Sequence, residues 1–179
     1  MNESFIIKEF SREYLSDLVG LKKICEEEAK WVAPDCYLEE WSKVVMGIHK
    51  IDANLIKLAF MDDNLVGYCI SVKDLHNYDG VVLDITWGSA YIWDLFVLKE
   101  HRSKGIGKAL LNQTIEYMKS IGKDKVGLLV NYWNDPARKF FEKLDFKLWS
   151  HFLVKRIKTT EKPVISLYSN STQRLLQWK

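Results

Sequence analysis

The feature that most constrains this chain is a strand, a glycine-containing turn and a helix that follow one another between Tyr91 and Ile121. The run Tyr91–Leu98 is aromatic and aliphatic with little charge, which is typical of a buried β-strand. After a polar turn, apolar residues recur near helical spacing until Gly122, at Ile106, Ala109, Leu110, Ile115, Met118 and Ile121. This order predicts a strand that leads directly into a helix.

The turn carries two glycines and several basic side chains, in the spacing Arg102-x-x-Gly105-x-Gly107. The first N–H groups of a helix have no intrahelical acceptor and carry partial positive charge, so a phosphate fits there. Glycine lets the backbone approach a ligand closely, and Arg102, Lys104 and Lys108 add cations around the same point. The spacing differs from the dinucleotide fingerprint and from the P-loop. A plain glycine-containing turn with a solvated basic rim is therefore the alternative interpretation.

The segment before Tyr91 predicts three strands and two helices. The strands are expected at Phe5–Phe10, Leu55–Met61 and Leu65–Lys73, the last two joined by a hairpin turn at Asp62-Asp63-Asn64. A first helix follows Ser11, which could cap it, and a second runs from Leu38 to about Lys50. The apolar stripe of the first helix is predicted at Tyr14, Leu15, Leu18, Leu21, Ile24 and Cys25. From Asp74 to Ala90 the sequence has no helical or strand periodicity, which predicts a surface loop.

The segment after Ile121 predicts a short strand at Val126–Val130, a short helix at Pro136–Leu144 and a further strand at Phe146–Ile157. Pro136 suits the first turn of a helix, and Asn134 or Asp135 could cap it. The whole order is typical of a mixed α/β chain whose central strand–helix–strand is a parallel crossover. Open α/β sheets bind ligands at the carboxyl ends of such strands, where the glycine turn lies.

Composition limits what the chain binds and where it works. It has 179 residues, 47% of them hydrophobic, and a net charge of +2, which predicts one sizeable domain without bulk attraction to nucleic acid or membrane. No apolar run approaches the roughly 18–20 residues needed to span a bilayer, and the N-terminus does not resemble a signal peptide. The three cysteines and four histidines show no paired or metal-binding spacing. We therefore expect a cytoplasmic protein with reduced thiols and no metal.

Two separated motifs resemble the GCN5-related N-acetyltransferases. The first is the strand Tyr91–Val97 with the glycine turn, and the second is Trp133-Asn-Asp-Pro-Ala-Arg-Lys-Phe-Phe-Glu-Lys-Leu-Asp-Phe146. The resemblance covers Phe5 to about Ile157 and implies a single domain over residues 1–158. It implies a mixed, mostly antiparallel central sheet with a parallel strand–helix–strand core and flanking helices. Residues 159–179 are then a C-terminal extension, an extra strand or an interface arm of a homodimer.

The resemblance also implies an acetyl-CoA site without a metal. The pyrophosphate would lie on the backbone of seven consecutive residues, Arg102, Ser103, Lys104, Gly105, Ile106, Gly107 and Lys108. Pantetheine would pair like an extra strand with Leu95, Phe96 and Val97, and the Val97 N–H would polarise the thioester carbonyl. Asn134, Phe140 and Phe141 would lie along the pantetheine arm. For Asn134 a helix cap is the alternative, and for the two phenylalanines it is core packing.

The sequence departs from the family where acid–base residues are usual. Trp93 occupies the position of a glutamate found in the polyamine-acetylating branch, and Phe141 that of a tyrosine acid. Tyr132 could supply a hydroxyl in their place, although packing is the alternative role. Asp94 is expected to face away from Trp93 and to have a hydrogen-bonded structural role. Asp84 and Glu40 are further candidates to reach a substrate, with solvated surface positions as the alternative.

The predicted function is transfer of the acetyl group of acetyl-CoA to a primary amine by direct attack on the thioester. The acceptor would be a small cationic amine, such as a polyamine, or a peptide or protein amine. Carboxylates and aromatic rings in the acceptor segments suit a cation, although a charged helix face explains them equally. They are Glu26, Glu27, Glu28, Trp31, Asp35, Tyr37, Glu39, Glu40, Tyr78, Asp79, Asp84 and Trp87. A non-catalytic acyl-CoA-binding module is the alternative function.

Overall fold

The computed structural model describes residues 4–29, 37–73, 90–131 and 133–149. The chain divides into two compact units, Met1–Gly127 and Leu128–Lys179. Five strands and four helices span the described ranges: β1 Ile6–Glu9, α1 Leu15–Glu28, α2 Tyr37–Ile51, β2 Ile56–Met61, β3 Asn64–Val72, β4 Ala90–Val97, α3 Ile106–Ser120, β5 Val126–Leu128 and α4 Asp135–Glu142. None of these helices is long and apolar enough to cross a bilayer.

The strands form one sheet in the order β1-β2-β3-β4-β5. β1 to β4 are antiparallel neighbours, and β5 runs parallel to β4 after the α3 crossover. Asp62 and Asp63 have φ values of 48° and 61° in the β2–β3 turn, the left-handed conformation that a tight hairpin needs at both central positions. The mixed α/β fold, the hairpin and the parallel strand–helix–strand core are thus confirmed.

Helices cover both faces of this sheet. Tyr68 on β3 contacts Trp41 of α2, with ring centroids 6.1 Å apart, whereas the next residue, Cys69, hydrogen-bonds Thr114 of α3. Because successive strand residues point to opposite faces, α2 and α3 lie on opposite sides of β3. The apolar spacing of α2 predicts that Trp41, Val44, Val45 and Ile48 face inward; Trp41, Val45 and Ile48 are fully buried, and Val44 is half-buried.

Several local predictions were wrong. Ser11 starts a short 3-10 turn at Arg12–Tyr14 without capping it, because its side chain makes no cap hydrogen bond. In α1, Ile24 is 39% exposed while the charged Lys22 and Glu26 are buried. β5 ends at Leu128, two residues earlier than predicted, and residues 146–149 of the predicted last strand have no regular structure. The loop at 74–89, the segment 150–157 and the 159–179 extension lie outside the described residues.

Gly67 on β3 sits where β4 and α3 come closest to that strand. A Cβ added there would lie 3.0 Å from the Phe96 carbonyl oxygen and 3.1 Å from Val97 Cγ2. We expect Gly67→Ala to lower the free energy of unfolding by about 1–3 kcal/mol, because the contact with backbone cannot relax without moving β4.

Gly20 provides the matched control in urea denaturation, since its Cβ would meet nothing within 4 Å on the exposed side of α1. Gly20→Ala should raise the free energy of unfolding by up to about 1 kcal/mol through helix propensity. Equal effects of the two substitutions would contradict the close approach at Gly67.

Asp52 links the start of β2 to α3 and to the end of β3. It accepts hydrogen bonds from the Tyr117 hydroxyl and from the Asn54 N–H, and it pairs with Lys73 at 3.3 Å. Burial acts to raise the pKa of Asp52, but the hydrogen bonds from Tyr117, Asn54 and Lys73 outweigh it and hold the pKa below its usual value. Burial and the Asp52 hydrogen bond raise the pKa of Tyr117 to about 12.

Tyr117→Phe should therefore cost about 1–3 kcal/mol at pH 7, where Asp52 is charged and Tyr117 neutral. A carboxylate with a depressed folded-state pKa stabilises the fold above its unfolded pKa of about 3.9, and that stability is lost as the pH falls through the folded value. The difference in the free energy of unfolding between wild type and Tyr117→Phe, measured by urea denaturation, should be smaller at pH 3 than at pH 7. An equal difference in the free energy of unfolding at both pH values would contradict a stabilising hydrogen bond between Tyr117 and the charged Asp52.

Candidate active site

The turn between β4 and α3 has the backbone geometry of an anion-binding loop. Ser103 and Gly105 adopt left-handed conformations, with φ values of 63° and 85°. Gly105 is the N-cap residue of α3, and the first N–H to bond within the helix is that of Ala109, which donates to the Gly105 carbonyl at 3.0 Å. The N–H groups of the first turn are thus left for a ligand. Alternating left-handed residues before a helix are typical of loops that cradle phosphate.

The Arg102 side chain turns toward β4 and α1. Its Nε donates to the Val97 carbonyl at 2.8 Å, and its Nη2 lies 2.5 Å from Glu28 Oε2 at the end of α1. The guanidinium also lies over the Phe96 ring, 5.4 Å from its centroid. The charge of Arg102 is therefore shared with Glu28, and Lys104 and Lys108 are further exposed cations of the turn.

The end of β4 offers backbone groups on the edge away from β3. The Leu98 N–H donates to the Val66 carbonyl at 2.9 Å, and Val97 pairs with Gly67. Hydrogen-bonded and non-hydrogen-bonded pairs alternate in antiparallel sheets, so the N–H and C=O groups of Leu95 and Val97 point away from β3. The Val97 carbonyl is already bound by Arg102, which leaves the Leu95 N–H and C=O and the Val97 N–H on this edge. β5 does not reach them, because Ala90 bonds Lys125 at its start and the strand ends at Leu128. Leu95 and Val97 thus have the geometry needed to pair with an extended ligand.

A bulge in β4 brings Trp93 and Asp94 to the same face of the sheet. The pairing with β3 jumps from Ile70–Asp94 to Ser71–Ile92, which leaves Trp93 without a partner. Trp93 stacks on Trp41 of α2 with centroids 6.2 Å apart, and Asp94 binds Lys22 of α1 at 2.7 Å. The expectation that the two side chains face opposite ways was wrong, because an extra residue in a strand interrupts the alternation of side chains.

Lys22 is the centre of a buried ionic cluster beneath this bulge. Its side chain is 0% exposed, and its Nζ lies 2.5 Å from Glu26 and 2.7 Å from Asp94. The Tyr37 hydroxyl donates to Glu26 at 3.4 Å, and the Trp41 ring centroid lies 5.6 Å from the ammonium. A buried ammonium requires such partners, since an unpaired charge away from water is costly. The predicted hydrogen-bonded role of Asp94 is thus observed.

Two polar groups beside the cluster are buried without an oxygen or nitrogen partner in the described part of the chain, Trp41 Nε1 and the Tyr68 hydroxyl, which lies beside the Cys25 thiol. Burial, and then the charge of Asp94, raise the pKa of Tyr68, so its hydroxyl stays protonated. Burial followed by Asp94 likewise raises the pKa of the neighbouring Cys25 thiol to about 12. Buried donors without acceptors are rare in proteins, and ordered water or a ligand often completes them.

Most of the described carboxylates that were expected to attract a cationic acceptor are paired with cations of the chain itself. Glu26 pairs with Lys22, and Glu28 with Arg102. Glu39 and Glu40 both pair with Lys43, at 2.8 and 3.0 Å. Glu27 is exposed at the end of α1. Tyr37 is buried and donates to Glu26. The remaining predicted acceptor residues lie outside the described residues: Trp31, Asp35, Tyr78, Asp79, Asp84 and Trp87.

The second compact unit contains α4 and the asparagine motif. Asn134 accepts from the Ala137 N–H at 3.3 Å, which is the helix-cap role that was the alternative for this residue. The rings of Phe140 and Phe141 meet edge to face at 5.1 Å, and Phe141 contacts Phe146 at 5.5 Å. Tyr132 lies outside the described residues. The pantetheine contacts of Asn134, Phe140 and Phe141 remain predictions.

Lys22 and Tyr68 were missed in the sequence because charge and hydroxyl groups suggest exposure, and Glu26 was expected to attract a cationic acceptor or to lie on a charged helix face. A signal was nevertheless present in α1. Lys22 and Glu26 follow Leu18 at steps of four residues, so a lysine and a glutamate continue an apolar stripe. A pair of opposite charges at that spacing on the buried face of a helix indicates an internal ion pair.

Comparison with known proteins agrees with this architecture. N-alpha-acetyltransferase 30 of Schizosaccharomyces pombe is 26% identical over 150 residues, covering 80% of this chain and 87% of that protein. AAC(6')-Iy, solved with a bisubstrate analogue of CoA and acetylneamine, superposes with a TM-score of 0.66 at 16% identity, covering 87% of this chain and 99% of that one. Ard1 from Thermoplasma volcanium superposes with a TM-score of 0.62 at 17% identity, covering 82% and 84%.

The sequence match to a family extends over most of the chain. Residues 18–146 match the Acetyltransferase (GNAT) family, a stretch that includes most of α1, the bulged strand β4, the glycine turn and the asparagine motif. The chain therefore belongs to the GNAT family of acetyltransferases.

Proposed function

We propose that this protein transfers the acetyl group of acetyl-CoA to the primary amine of a peptide or protein. The observation that carries the proposal is the unpaired end of β4 followed directly by the left-handed turn at Ser103 and Gly105. An extended edge and a phosphate cradle in succession fit a ligand with an amide-containing arm and a pyrophosphate, as CoA has. Family membership supports the same cofactor.

In this proposal the first-turn N–H groups of α3 hold the pyrophosphate, with Lys104 and Lys108 nearby. Pantetheine amides pair with Leu95 and Val97, and the Val97 N–H donates to the thioester carbonyl oxygen. Arg102 holds the next peptide group by binding the Val97 carbonyl at 2.8 Å, which limits rotation of the strand end. A donor that is fixed before the reaction stabilises developing charge without reorganising.

The pairing of the acidic side chains favours a peptide acceptor over a polyamine. A polycation needs several uncompensated carboxylates, whereas Glu28 is paired with Arg102 and Glu26 with the buried Lys22, and Glu39 and Glu40 share Lys43, which leaves one net negative charge on that surface of α2. A peptide amine carries one positive charge and gains its remaining affinity from backbone and side-chain contacts. The likeness to N-alpha-acetyltransferase 30 supports this choice.

The cofactor is tested by thermal-shift titration with acetyl-CoA, CoA and ATP in parallel. A ligand that binds the folded state alone stabilises it by about 2.7 kcal/mol at one hundred times its dissociation constant. We expect both CoA compounds to raise the melting temperature and ATP to leave it unchanged. No shift with any of the three would overturn the cofactor assignment.

The acceptor is tested by measuring free CoA thiol released in the presence of amines. The panel contains peptides with different N-terminal residues, N-terminally blocked peptides that carry lysine, polyamines and an aminoglycoside. We expect faster acetyl transfer to peptide amines than to polyamines. Faster transfer to polyamines would overturn the acceptor class, and cofactor binding without transfer to any amine would support the non-catalytic module instead.

A further inference from the structure

We propose that Asp94 is the carboxylate that takes the proton from the attacking ammonium group, and that Lys22 and Glu26 are positioning residues that hold it. This inference rests on the proposed acetyl transfer. It assigns an acid–base role that Trp93 and Phe141 cannot fill, and for which the sequence candidate Tyr132 lies outside the described residues.

The position of Asp94 follows from the β4 bulge. Asp94 precedes Leu95 and Val97, whose backbone groups lie on the free edge of the strand. The bulge places its carboxylate on the α1 and α2 face, together with the Trp93 ring that stacks on Trp41. The Asp94 side chain is 11% exposed, so an amine or a water molecule can reach it while Lys22 cannot be reached.

Two carboxylates, those of Glu26 and Asp94, share the single buried ammonium of Lys22, and one of them would be enough to neutralise it. Glu26 lies one helical turn from Lys22 and pairs with it at 2.5 Å, and Tyr37 binds Glu26 as well. Asp94 is thus a second carboxylate on one ammonium, held at 2.7 Å from a different element of the fold. An arrangement in which Lys22 retains Glu26 allows Asp94 to gain a proton without leaving the buried ammonium alone.

Two buried donors point to a bound water or substrate group beside Asp94. Trp41 Nε1 has no acceptor among the described residues, the Tyr68 hydroxyl has only the neighbouring Cys25 thiol, and both side chains are 0% exposed. The charge of Asp94 helps to raise the pKa of Tyr68, so the two side chains are near each other. Trp41 contacts Lys22 and Trp93. A water held by these donors can pass a proton from the acceptor amine to the carboxylate.

The proton and electron balance of the step is simple. The ammonium of the acceptor gives one proton to Asp94, directly or through water, and becomes a neutral amine. The nitrogen lone pair forms the new C–N bond to the acetyl carbonyl carbon, and the C–S bond breaks with its electron pair leaving on the CoA sulfur. The second nitrogen proton neutralises the thiolate or enters solvent, and Asp94 then releases its proton to solvent.

Asp94→Asn is the first test, with Asp124→Asn as the matched control. Asp124 is an exposed aspartate beside Lys125, 3.8 Å away, remote in sequence from the site. We expect Asp94→Asn to keep the acetyl-CoA thermal shift and the KM for acetyl-CoA, and to lower kcat about 10²–10³-fold. Asp124→Asn should match wild type. A kcat for Asp94→Asn within threefold of wild type would overturn the inference.

A double variant separates catalysis from charge balance. If Asp94 serves only to neutralise Lys22, then Lys22→Met combined with Asp94→Asn restores transfer to about the wild-type rate, and the inference is wrong. If Asp94 takes the proton and Lys22 positions it, the double variant stays at least as slow as Asp94→Asn, and Lys22→Met alone also lowers kcat. If the wild-type protein transfers acetyl to no amine at all, the proposed function itself is wrong. That result is distinct from a slow Asp94→Asn variant, because it appears before any substitution is made.

Discussion

Replacing Lys22 with methionine lowers the free energy of unfolding by about 3–5 kcal/mol. The substitution keeps the length of the side chain but removes the ammonium that Glu26 and Asp94 share at 2.5 and 2.7 Å. Both carboxylates are nearly buried, so they cannot recover the lost interaction from water. Urea denaturation at pH 7 measures the change, and adding Asp94→Asn should return part of the stability by removing one of the two charges.

Lys43 gives a control that matches the arrangement but not the burial. It also pairs with two carboxylates, Glu39 and Glu40, at 2.8 and 3.0 Å, but its side chain is 59% exposed. Surface pairs contribute about 0–1 kcal/mol, so Lys43→Met should change stability by less than about 1 kcal/mol. Equal losses for the two methionine variants would show that burial of Lys22 is energetically unimportant.

Gly105→Glu should raise the dissociation constant for acetyl-CoA at least about 100-fold. The glutamate carboxylate would lie at the N-terminus of α3, where it would occupy and neutralise the positive site proposed for the pyrophosphate. Gly105 also has a φ of 85°, so any side chain there costs about 1–2 kcal/mol of backbone strain. Thermal-shift titration with acetyl-CoA measures the affinity.

Gly122 lies at the other end of the same helix and controls for strain. Its φ is 80°, and an added Cβ meets nothing within 4 Å, as at Gly105. Gly122→Glu should therefore lose a similar amount of stability while keeping acetyl-CoA affinity within about twofold. Equal loss of affinity in both variants would mean that the effect of Gly105→Glu comes from destabilised α3, and that the turn does not hold the pyrophosphate.

The local elements near the site were readable in the sequence because short-range rules govern them. Apolar runs defined β4, helical spacing defined α3, and the glycines marked a turn whose left-handed residues the structure shows at Ser103 and Gly105. The Asp62-Asp63-Asn64 turn and the inward residues of α2 followed the same rules. Each depends on residues within a few positions of one another, which a linear pattern records directly.

Contacts between distant residues decided the rest. Lys22 and Asp94 are 72 positions apart, and Arg102 and Glu28 are 74 apart, so no periodicity relates them. Charged side chains such as Lys22 and Glu26 are normally exposed, and their burial is explained only by the contact of Lys22 with Asp94. That meeting requires the β4 bulge, which leaves no mark in the order of residues at Trp93 and Asp94.

The sequence by itself thus determined the class of fold, the strand–turn–helix and the family motifs, because these are properties of neighbouring residues. The tertiary structure alone decided which charges neutralise one another and which face Asp94 presents. The physical reason is strand register. One unpaired residue, Trp93, reverses the alternation of side chains across β4 and turns the next carboxylate toward the buried lysine of α1.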